Sequence, residues 1–249
     1  MQHIKRFERH RGSRAIAVID RNQPSLLLGL GEAILDVDQS EEVLHAIELT
    51  DEKVPIDVIL HTPGGIVVAV EQVAAALSAH PAEVTAFVPY YAMSGGTIVA
   101  LAADKIVMSP FAALGPVDPQ FDDRSGASIL AAVRGKDPSD LDDATLMQAD
   151  EARKAQQEAQ GFIERLLLRT LEPERAAEIA IALTDGRYTH EFPISVDLAR
   201  QLGLRVSTEL PREVQEIVDS QRRRLLREVV WYVPRRYRVH AERTVAERP

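Results

Sequence analysis

Two glycine-marked turns constrain this chain more than any other feature of its sequence. The first is His61-Thr-Pro-Gly-Gly65 and the second is Ala92-Met-Ser-Gly-Gly-Thr97. Each turn follows an apolar run that is typical of a buried strand and precedes a pattern with helical spacing. This alternation of strand and helix signals predicts the α/β class.

The second turn places a serine at a strand-to-helix corner. The predicted strands are Ile56–Leu60 and Val84–Val88, and the predicted helices are Val67–Ala79 and Thr97–Ala103. The first turn of a helix offers unpaired N–H groups and the positive end of the helix dipole, which suit a developing oxyanion. We therefore predict that Ser94 is a nucleophile and that Gly65 and Gly95 supply backbone N–H groups to the oxyanion.

The chain is long enough to bury one sizeable core. It has 249 residues, of which 45% are hydrophobic, so one α/β domain with peripheral helices is expected. We predict a basic N-terminal arm over 1–13, a catalytic domain over 14–210, and a C-terminal helix with a basic tail over 211–249. The arm is expected to be poorly anchored.

The absence of cysteine limits the chemistry that the chain can perform. It excludes disulfides, thiolate metal sites and a cysteine nucleophile, and it is compatible with a reducing cytosol. No leader sequence is recognisable, and no apolar run is long enough to span a bilayer. We therefore expect a soluble cytoplasmic protein without a transmembrane segment.

The formal net charge of −9 is spread unevenly along the chain. Basic side chains dominate the first 14 residues and the stretch after residue 220, and the body between them is acidic. Basic runs alone are weak signals, so solvated tails or subunit contacts are favoured. No stably bound nucleic acid is expected.

Several predictions concern elements outside the two turns. A polar loop is expected at Asp36–Gln39, followed by a helix that Ser40 caps. The stretch Phe121–Ser139 is rich in turn residues and is expected to be an irregular, mobile segment over the site. The stretch Asp140–Leu171 carries an apolar stripe at helical spacing and is predicted to be a long helix.

Four motifs occur in a defined order along the chain. They are His61–Gly65, Tyr91–Thr97, Ala102–Asp104 and Leu114–Gln120. Together they resemble the serine dehydrogenase proteinase family, a branch of the Clp-protease/crotonase superfamily near the signal peptide peptidase A class. The later stretches Gly186–His190 and Ala199–Leu204 also fit this family, and the resemblance covers about residues 12–220.

The resemblance implies a Clp/crotonase-like fold of repeated β-β-α units, serine peptidase chemistry and a homo-oligomer. It also implies that the edge formed by Gly64 and Ile66 binds the substrate backbone, with Gly65 as one oxyanion donor. No ATPase motif is present, so a separate unfoldase would have to supply any ATP-dependent unfolding.

The identity of the general base is less well defined. The Clp-type arrangement implies a histidine shortly after the serine, but the Pro116–Pro119 loop contains Asp118 and no histidine. No histidine lies between His80 and His190, and His190 is interpreted as a structural loop residue. The signal peptide peptidase A class instead pairs serine with lysine. Lys154 precedes a stretch that resembles the helix after that lysine, and it is the predicted base.

Other assignments of the base stay open. Lys154 lies nearly opposite the apolar stripe, with Glu151 and Glu158 at helix-neighbour spacing, so a solvated ion pair is the competing interpretation. Lys136 and His61 are alternative bases. No histidine spacing indicates a metal site, so neither a metal nor a cofactor is predicted.

The preferred hypothesis is a serine endopeptidase-like hydrolase that cleaves peptide or protein substrates. A crotonase-like enzyme acting on acyl-coenzyme A is one alternative, because it would use the same pair of oxyanion donors without a nucleophilic serine. A catalytically silent oligomeric scaffold is the other.

Overall fold

The computed structural model describes residues 2–19, 35–121, 124–222 and 230–231. Its helices are α1 (Gln2–Arg11), α2 (Val37–Glu48), α3 (Val67–Ala79), α4 (Gly95–Leu101), α5 (Gly126–Val133), α6 (Asp143–Leu167), α7 (Pro173–Thr184), α8 (Val196–Leu202) and α9 (Arg212–Arg222). Its strands are β1 (Arg14–Ile19), β2 (Ile56–His61), β3 (Val84–Val88), β4 (Tyr91–Ala92), β5 (Lys105–Met108), β6 (Ala113–Leu114), β7 (Gln120–Phe121), β8 (Arg124–Ser125), β9 (Ile194–Ser195), β10 (Val206–Ser207) and β11 (Val230–Trp231). The predicted α/β class is confirmed.

A six-stranded sheet with the order β10-β5-β3-β2-β1-β11 forms the centre of the protein. The first five strands of this order are parallel, and β11 pairs antiparallel with β1. Strands β1, β2 and β3 are buried at every position, as expected for a parallel sheet covered on both faces. Because β2 leads into α3 and β3 leads through β4 into α4, both glycine turns lie at the carboxyl edge of this sheet.

A second, smaller sheet holds the segment that leads into Ser94. Strand β4 pairs parallel with β6, and β6 pairs antiparallel with β9. The main chain of Thr62 also bridges to β4, since its N–H donates to Tyr91 O at 3.3 Å and its carbonyl accepts from Met93 N at 3.0 Å. This bridge brings the two glycine turns together.

Two hydrophobic cores lie on opposite faces of the large sheet. The larger core is mainly aliphatic and packs helices α2, α3, α4, α6, α7 and α8 against one face. The smaller core packs α1 and α9 against the other face and includes Phe7 and Phe87. The domain boundaries proposed from the sequence stay predictions.

The N-terminal segment is anchored, so the expectation of a poorly anchored arm is wrong. Ile4 and Phe7 of α1 are fully buried. The Arg11 guanidinium donates two hydrogen bonds of 2.9 Å to the buried carboxylate of Asp57, and this hydrogen bonding raises the pKa of Arg11. The two apolar residues have the i, i+3 spacing of a helix face, but a basic segment with only two of them gives a weak periodic signal.

Helix α2 begins earlier than predicted. Asp36 is its N-cap: Asp36 Oδ1 accepts from Gln39 N at 2.9 Å, and Gln39 Oε1 accepts from Asp36 N at 2.9 Å. Ser40 lies inside the helix, where its hydroxyl donates to Val37 O at 2.7 Å. The predicted polar loop and the Ser40 cap are therefore wrong, because Asp-x-x-Gln is a capping-box pattern.

The stretch over 121–139, expected to be irregular, contains a short hairpin of β7 and β8 and the helix α5. Ser125 caps this helix by accepting from Ser128 N. Ile129 of α5 then packs on Ala149 and Ala152 of α6 in a third, small core. A single apolar turn of a short helix was too weak a periodic signal to recognise in the sequence.

The basic tail predicted at the end of the 211–249 segment lies outside the described residues. Within the ranges that the structure describes, no helix combines the length and the apolar character needed to cross a membrane.

Candidate active site

Ser94 lies where β4 meets α4, at the strand-to-helix corner that the sequence predicts. With φ 49° and ψ −116°, it is the one non-glycine residue with positive φ among those that the structure describes. Such strain persists only where the surroundings enforce it, and it is common at active sites. The side chain is half-buried, and its hydroxyl forms no hydrogen bond with the described part of the chain.

The main chains of Gly65 and Gly95 approach each other beside Ser94. A Cβ atom built on Gly95 would stand 3.1 Å from Gly65 N. A Cβ atom built on Gly64 would stand 3.2 Å from Ser94 Cβ and 3.4 Å from Gly95 N. The two amides proposed as oxyanion donors are therefore neighbours in space, although 30 positions separate them in the sequence.

These two amides also differ from their neighbours in hydrogen bonding. Gly64 N donates to Thr62 Oγ1 at 3.1 Å, and Gly96 N donates to a carbonyl of the preceding turn at 2.7 Å. Across the described ranges, neither Gly65 N nor Gly95 N has a hydrogen-bond partner. Gly95 is buried and Gly65 is half-buried. Backbone N–H groups shielded from water are nearly always paired, so two adjacent open donors indicate a site for an anionic or carbonyl oxygen.

Side chains would not fit at these glycines. A Cβ on Gly95 would meet Val70 Cγ2 at 2.5 Å, and a Cβ on Gly65 would meet Leu35 O at 2.6 Å. Gly64 has a φ of 147°, which L-residues rarely adopt. The close approach of the two turns therefore requires glycine at each position.

The edge predicted to bind the substrate backbone is already paired with the chain's own Leu35. Leu35 N donates to Gly64 O at 3.2 Å, and Ile66 N donates to Leu35 O at 2.9 Å. The Ile66 carbonyl accepts from Val70 N at 3.0 Å. Gly64 is itself buried, so the exposed side chain of Ile66 is the part of this edge that can meet a peptide, and the role of both residues in binding stays a prediction.

A buried threonine holds the next loop against the Ser94 corner. Thr97 Oγ1 accepts from Gly115 N at 2.9 Å and lies 2.8 Å from the carbonyl oxygens of both Ala92 and Gly115. A Cβ on Gly115 would stand 3.1 Å from Ser94 N. The loop over 115–120 therefore starts in contact with the proposed nucleophile.

The predicted base, Lys154, lies on the solvent side of α6. Its side chain is 60% exposed, and Nζ lies 2.5 Å from Asp150 Oδ2. Hydrogen bonds from Lys154 and then Arg153 hold the pKa of Asp150 below its ordinary range. The structure thus forms the i, i+4 ion pair that the sequence raised as the competing interpretation, but with Asp150 in place of Glu151 or Glu158.

The alternative bases occupy different environments. Lys136 is exposed in the turn after α5. His61 is 5% exposed, and its ring centroid lies 4.4 Å from that of Tyr91 and 5.3 Å from that of Tyr90. The imidazole is therefore packed among aromatic rings, and the catalytic roles of both residues stay predictions.

A carboxylate and a histidine that were not assigned a catalytic role from the sequence are linked in the neighbouring loops. Asp118 is 4% exposed, and its Oδ2 accepts from Gln120 Nε2 at 3.1 Å. The same amide nitrogen lies 3.1 Å from His190 Nδ1. Asp118 lies in the motif Leu114–Gln120 and His190 in the motif Gly186–His190. These positions were the sequence signal that could have indicated a functional role. The separation of 70 positions concealed the contact itself.

The Ala102–Asp104 motif has a structural explanation. Asp104 Oδ2 accepts from Val84 N at 2.8 Å, and Asp104 Oδ1 accepts from the Arg169 guanidinium at 2.9 Å. This carboxylate joins the start of β3 to the end of α6. Among the described residues, no group of three or more histidine, aspartate or glutamate side chains is arranged to bind a metal ion.

Comparison with known proteins identifies the family. The model of the ClpP-like SDH-type serine proteinases matches residues 1–246. Two proteins of Methanocaldococcus jannaschii are similar: "Uncharacterized protein MJ0137" is 45% identical over 217 residues, covering 87% of this chain and 76% of the relative, and "Uncharacterized protein MJ1495" is 42% identical over 233 residues, covering 93% and 80%. ClpP1 from Listeria monocytogenes has a TM-score of 0.51 at 14% identity, covering 84% of this chain and 98% of that chain, which confirms the predicted Clp-like fold. The chain therefore belongs to the family of ClpP-like SDH-type serine proteinases.

Proposed function

We propose that this chain hydrolyses peptide bonds, with Ser94 as the nucleophile and the N–H groups of Gly65 and Gly95 as the oxyanion hole. The observation that carries the proposal is a strained serine beside two adjacent amide donors that lack partners in the described ranges. Membership of a serine proteinase family supports the same reaction class. Gly64 and Ile66 are the proposed contacts of the substrate.

The reaction proceeds through an acyl-enzyme. Ser94 Oγ attacks the peptide carbonyl carbon while its proton passes to a general base, and Gly65 and Gly95 donate to the resulting oxyanion. Collapse breaks the C–N bond, and the leaving amine takes the proton from the base. Water then loses a proton to the same base and adds to the carbonyl carbon of the Ser94 ester. Collapse breaks the bond between this carbon and Ser94 Oγ, which takes the proton from the base, and the carboxylic acid is released.

Lys154 is the proposed base of this reaction. Lys154 Nζ is paired with Asp150, so the side chain must leave that carboxylate and reach Ser94 before it can act. Lys136 and His61 are the alternatives proposed from the sequence. His190 is a further candidate because Gln120 links it to the buried carboxylate of Asp118, and an imidazole accepts protons near neutral pH.

A fluorophosphonate probe tests the nucleophile. Wild-type protein and the exposed-serine control Ser128→Ala should be labelled at Ser94, and Ser94→Ala should not be labelled. A folded wild type that takes up no label would contradict the proposal. Turnover of an acyl-coenzyme A thioester that survives in Ser94→Ala would instead favour a crotonase-like enzyme, and absence of both activities would favour a scaffold.

The base is tested by paired substitutions on one helix. If Lys154 is the base, Lys154→Ala should lower kcat by about 10²- to 10⁴-fold. Arg153→Ala is the matched control, because Arg153 contacts the same Asp150 carboxylate, and it should keep wild-type kcat. Wild-type activity in Lys154→Ala together with loss in His190→Ala would move the role to the histidine.

The proposal includes a homo-oligomer in the cytoplasm and, for folded substrates, a separate unfoldase. The resemblance to Clp-type proteases supports a homo-oligomer, and its contacts would be sought among exposed apolar side chains: Phe111 is 96% exposed, Val67 65% and Met147 63%. Sedimentation velocity on the wild type and Phe111→Ser tests the assembly, and a wild type that sediments as a monomer at all concentrations would contradict it.

A further inference from the structure

Tyr90 lies at the joint between β3 and β4, four positions before Ser94. Its hydroxyl donates to Asp219 Oδ1 at 3.0 Å and accepts a hydrogen bond from Gln215 Nε2. Both partners lie on α9 and are more than 120 positions away in the sequence. The C-terminal helix α9 is therefore connected directly to the segment that leads into the proposed nucleophile.

The same tyrosine also contacts the other glycine turn. Its ring centroid lies 5.3 Å from that of His61, the last residue of β2. The adjacent ring of Tyr91 packs on His61 as well, with centroids 4.4 Å apart. The residue after His61, Thr62, exchanges main-chain hydrogen bonds with Tyr91 and Met93, which follow Tyr90 in the chain. A displacement of Tyr90 would therefore move both turns.

The Ser94 corner depends on such external support. A serine with φ 49° is strained, and that conformation persists only where neighbouring contacts determine it. Thr97 and Gly115 supply those contacts on the side of the small sheet. On the other side, α9 is itself fixed by Val214, Ile217 and Val218, which are fully buried in the smaller core.

We propose that Tyr90 is a positioning residue through which helix α9 sets the geometry of Ser94 and its oxyanion donors. Asp219 and Gln215 fix the Tyr90 hydroxyl, and the Tyr90 ring and main chain transmit that position to both turns. The catalytic part of this inference rests on the proposed function, whereas the mechanical coupling of α9 to the corner does not.

Three substitutions test the coupling. Tyr90→Phe keeps the ring and removes the hydroxyl, and Asp219→Ala removes the partner from the α9 side. Ser220→Ala is the matched control, because its hydroxyl bonds to Ile217 O within the same helix. The measurements are the rate of fluorophosphonate labelling at Ser94, kcat and KM for a peptide ester, and hydrogen–deuterium exchange of fragments covering residues 91–97.

Tyr90→Phe and Asp219→Ala should each lower the labelling rate and kcat about tenfold while KM changes less than about twofold, because misplacement of a reacting group lowers kcat most. Exchange over 91–97 should become faster in both variants, and Ser220→Ala should match the wild type. The double variant should be no more impaired than Tyr90→Phe alone, because that change already removes the hydroxyl that bonds to Asp219.

A purely structural role gives a different result. Variants that are folded but less resistant to urea, with wild-type labelling, kcat and exchange over 91–97, would overturn the inference. If Tyr90→Phe does not fold, Asp219→Ala alone decides by the same criteria. If the wild type is never labelled, the proposed function fails, and exchange over 91–97 still decides the coupling: faster exchange supports it and unchanged exchange overturns it.

Discussion

The Ser94 corner and the solvent side of α6 hold the two side chains of the proposed Ser–Lys pair, and they are built in opposite ways. At the corner, a single added methyl group on Gly95 would stand 2.5 Å from Val70 Cγ2. On α6, Lys154 is 60% exposed, and its ion pair is formed within its own helix. The proposed nucleophile and oxyanion donors are therefore held by contacts between distant parts of the chain, whereas the ion pair of the proposed base lies within one helix.

This contrast shows which part of the site tolerates change. Packing and buried hydrogen bonds hold the corner, so small alterations there should affect both stability and activity. Exposed ion pairs contribute little to folding, so changes around Lys154 should affect stability very little. A large loss of activity from such a change would therefore report chemistry and not structure.

The largest expected effect comes from Ser94→Ala. If the corner carries the nucleophile, kcat should fall by about 10⁴-fold or more. The variant should remain folded, since one hydroxyl without a partner in the described ranges is removed. Peptide hydrolysis and circular dichroism check the two parts, and residual activity near the wild-type level would remove the corner from the mechanism.

The next largest effect is expected at Gly95, and Gly161 serves as the comparison. Gly95→Ala should destabilise the protein by about 2–4 kcal/mol, because the new Cβ overlaps Val70, and should lower kcat about 10²-fold. Gly161→Ala, on the same helix as Lys154, would place a Cβ 3.5 Å from Arg165 Nη1 and in no closer contact with the described residues, so it should stabilise the protein by about 0.5–1 kcal/mol. Urea unfolding measures both, and equal effects at the two sites would contradict the contrast.

Thr97→Val should have a somewhat smaller effect. It retains the shape of the side chain but leaves Gly115 N without its acceptor in a fully buried position. The expected cost is about 1–3 kcal/mol of the free energy of unfolding, with a lower kcat because the loop at 115–120 loosens. Urea unfolding and peptide hydrolysis test this, and wild-type stability would show that the hydroxyl does not hold the loop.

The smallest expected effect is the pH dependence of stability that comes from Asp150. Its folded-state pKa is lowered by hydrogen bonds from Lys154 and Arg153, so its contribution to stability is present above the unfolded pKa of about 3.9 and is lost as the pH falls through the folded pKa. Asp150→Asn should be slightly less stable than the wild type at neutral pH and equal to it in strong acid. A difference that persists in acid would show that the effect is not electrostatic.

Much of the fold around the site was predictable because its signals are local. The observed bounds of α3 and β3 are those predicted, Val67–Ala79 and Val84–Val88. The start of α4 at Gly95 was missed by two residues, because glycine has low helix propensity. The helix α1 was missed because its stabilisation comes from packing on the sheet and α9, which a short basic segment does not reveal.

Part of the candidate site was also predictable, because its signals are local as well. A serine followed by two glycines between a strand and a helix indicates the corner directly. Leu35 already occupies main-chain hydrogen-bonding groups of Gly64 and Ile66, so these groups are not open to a substrate. No local sequence pattern predicts this pairing. The face of α6 that carries Lys154 was readable from periodicity, but its ion-pair partner was not, because several acidic side chains lie within helical reach.

The amino-acid sequence by itself determined the two glycine turns, the strands before them and the helices after them. Backbone conformation at such turns depends on a few adjacent residues, since Gly64 has a φ that L-residues rarely adopt and Gly65 and Gly95 leave no room for a Cβ atom. The tertiary structure alone decided that Gly65 N meets Gly95, that His190 meets Gln120, and that α9 reaches Tyr90. These contacts join segments that are distant in the chain, and the packing of the sheet and its helices sets their geometry.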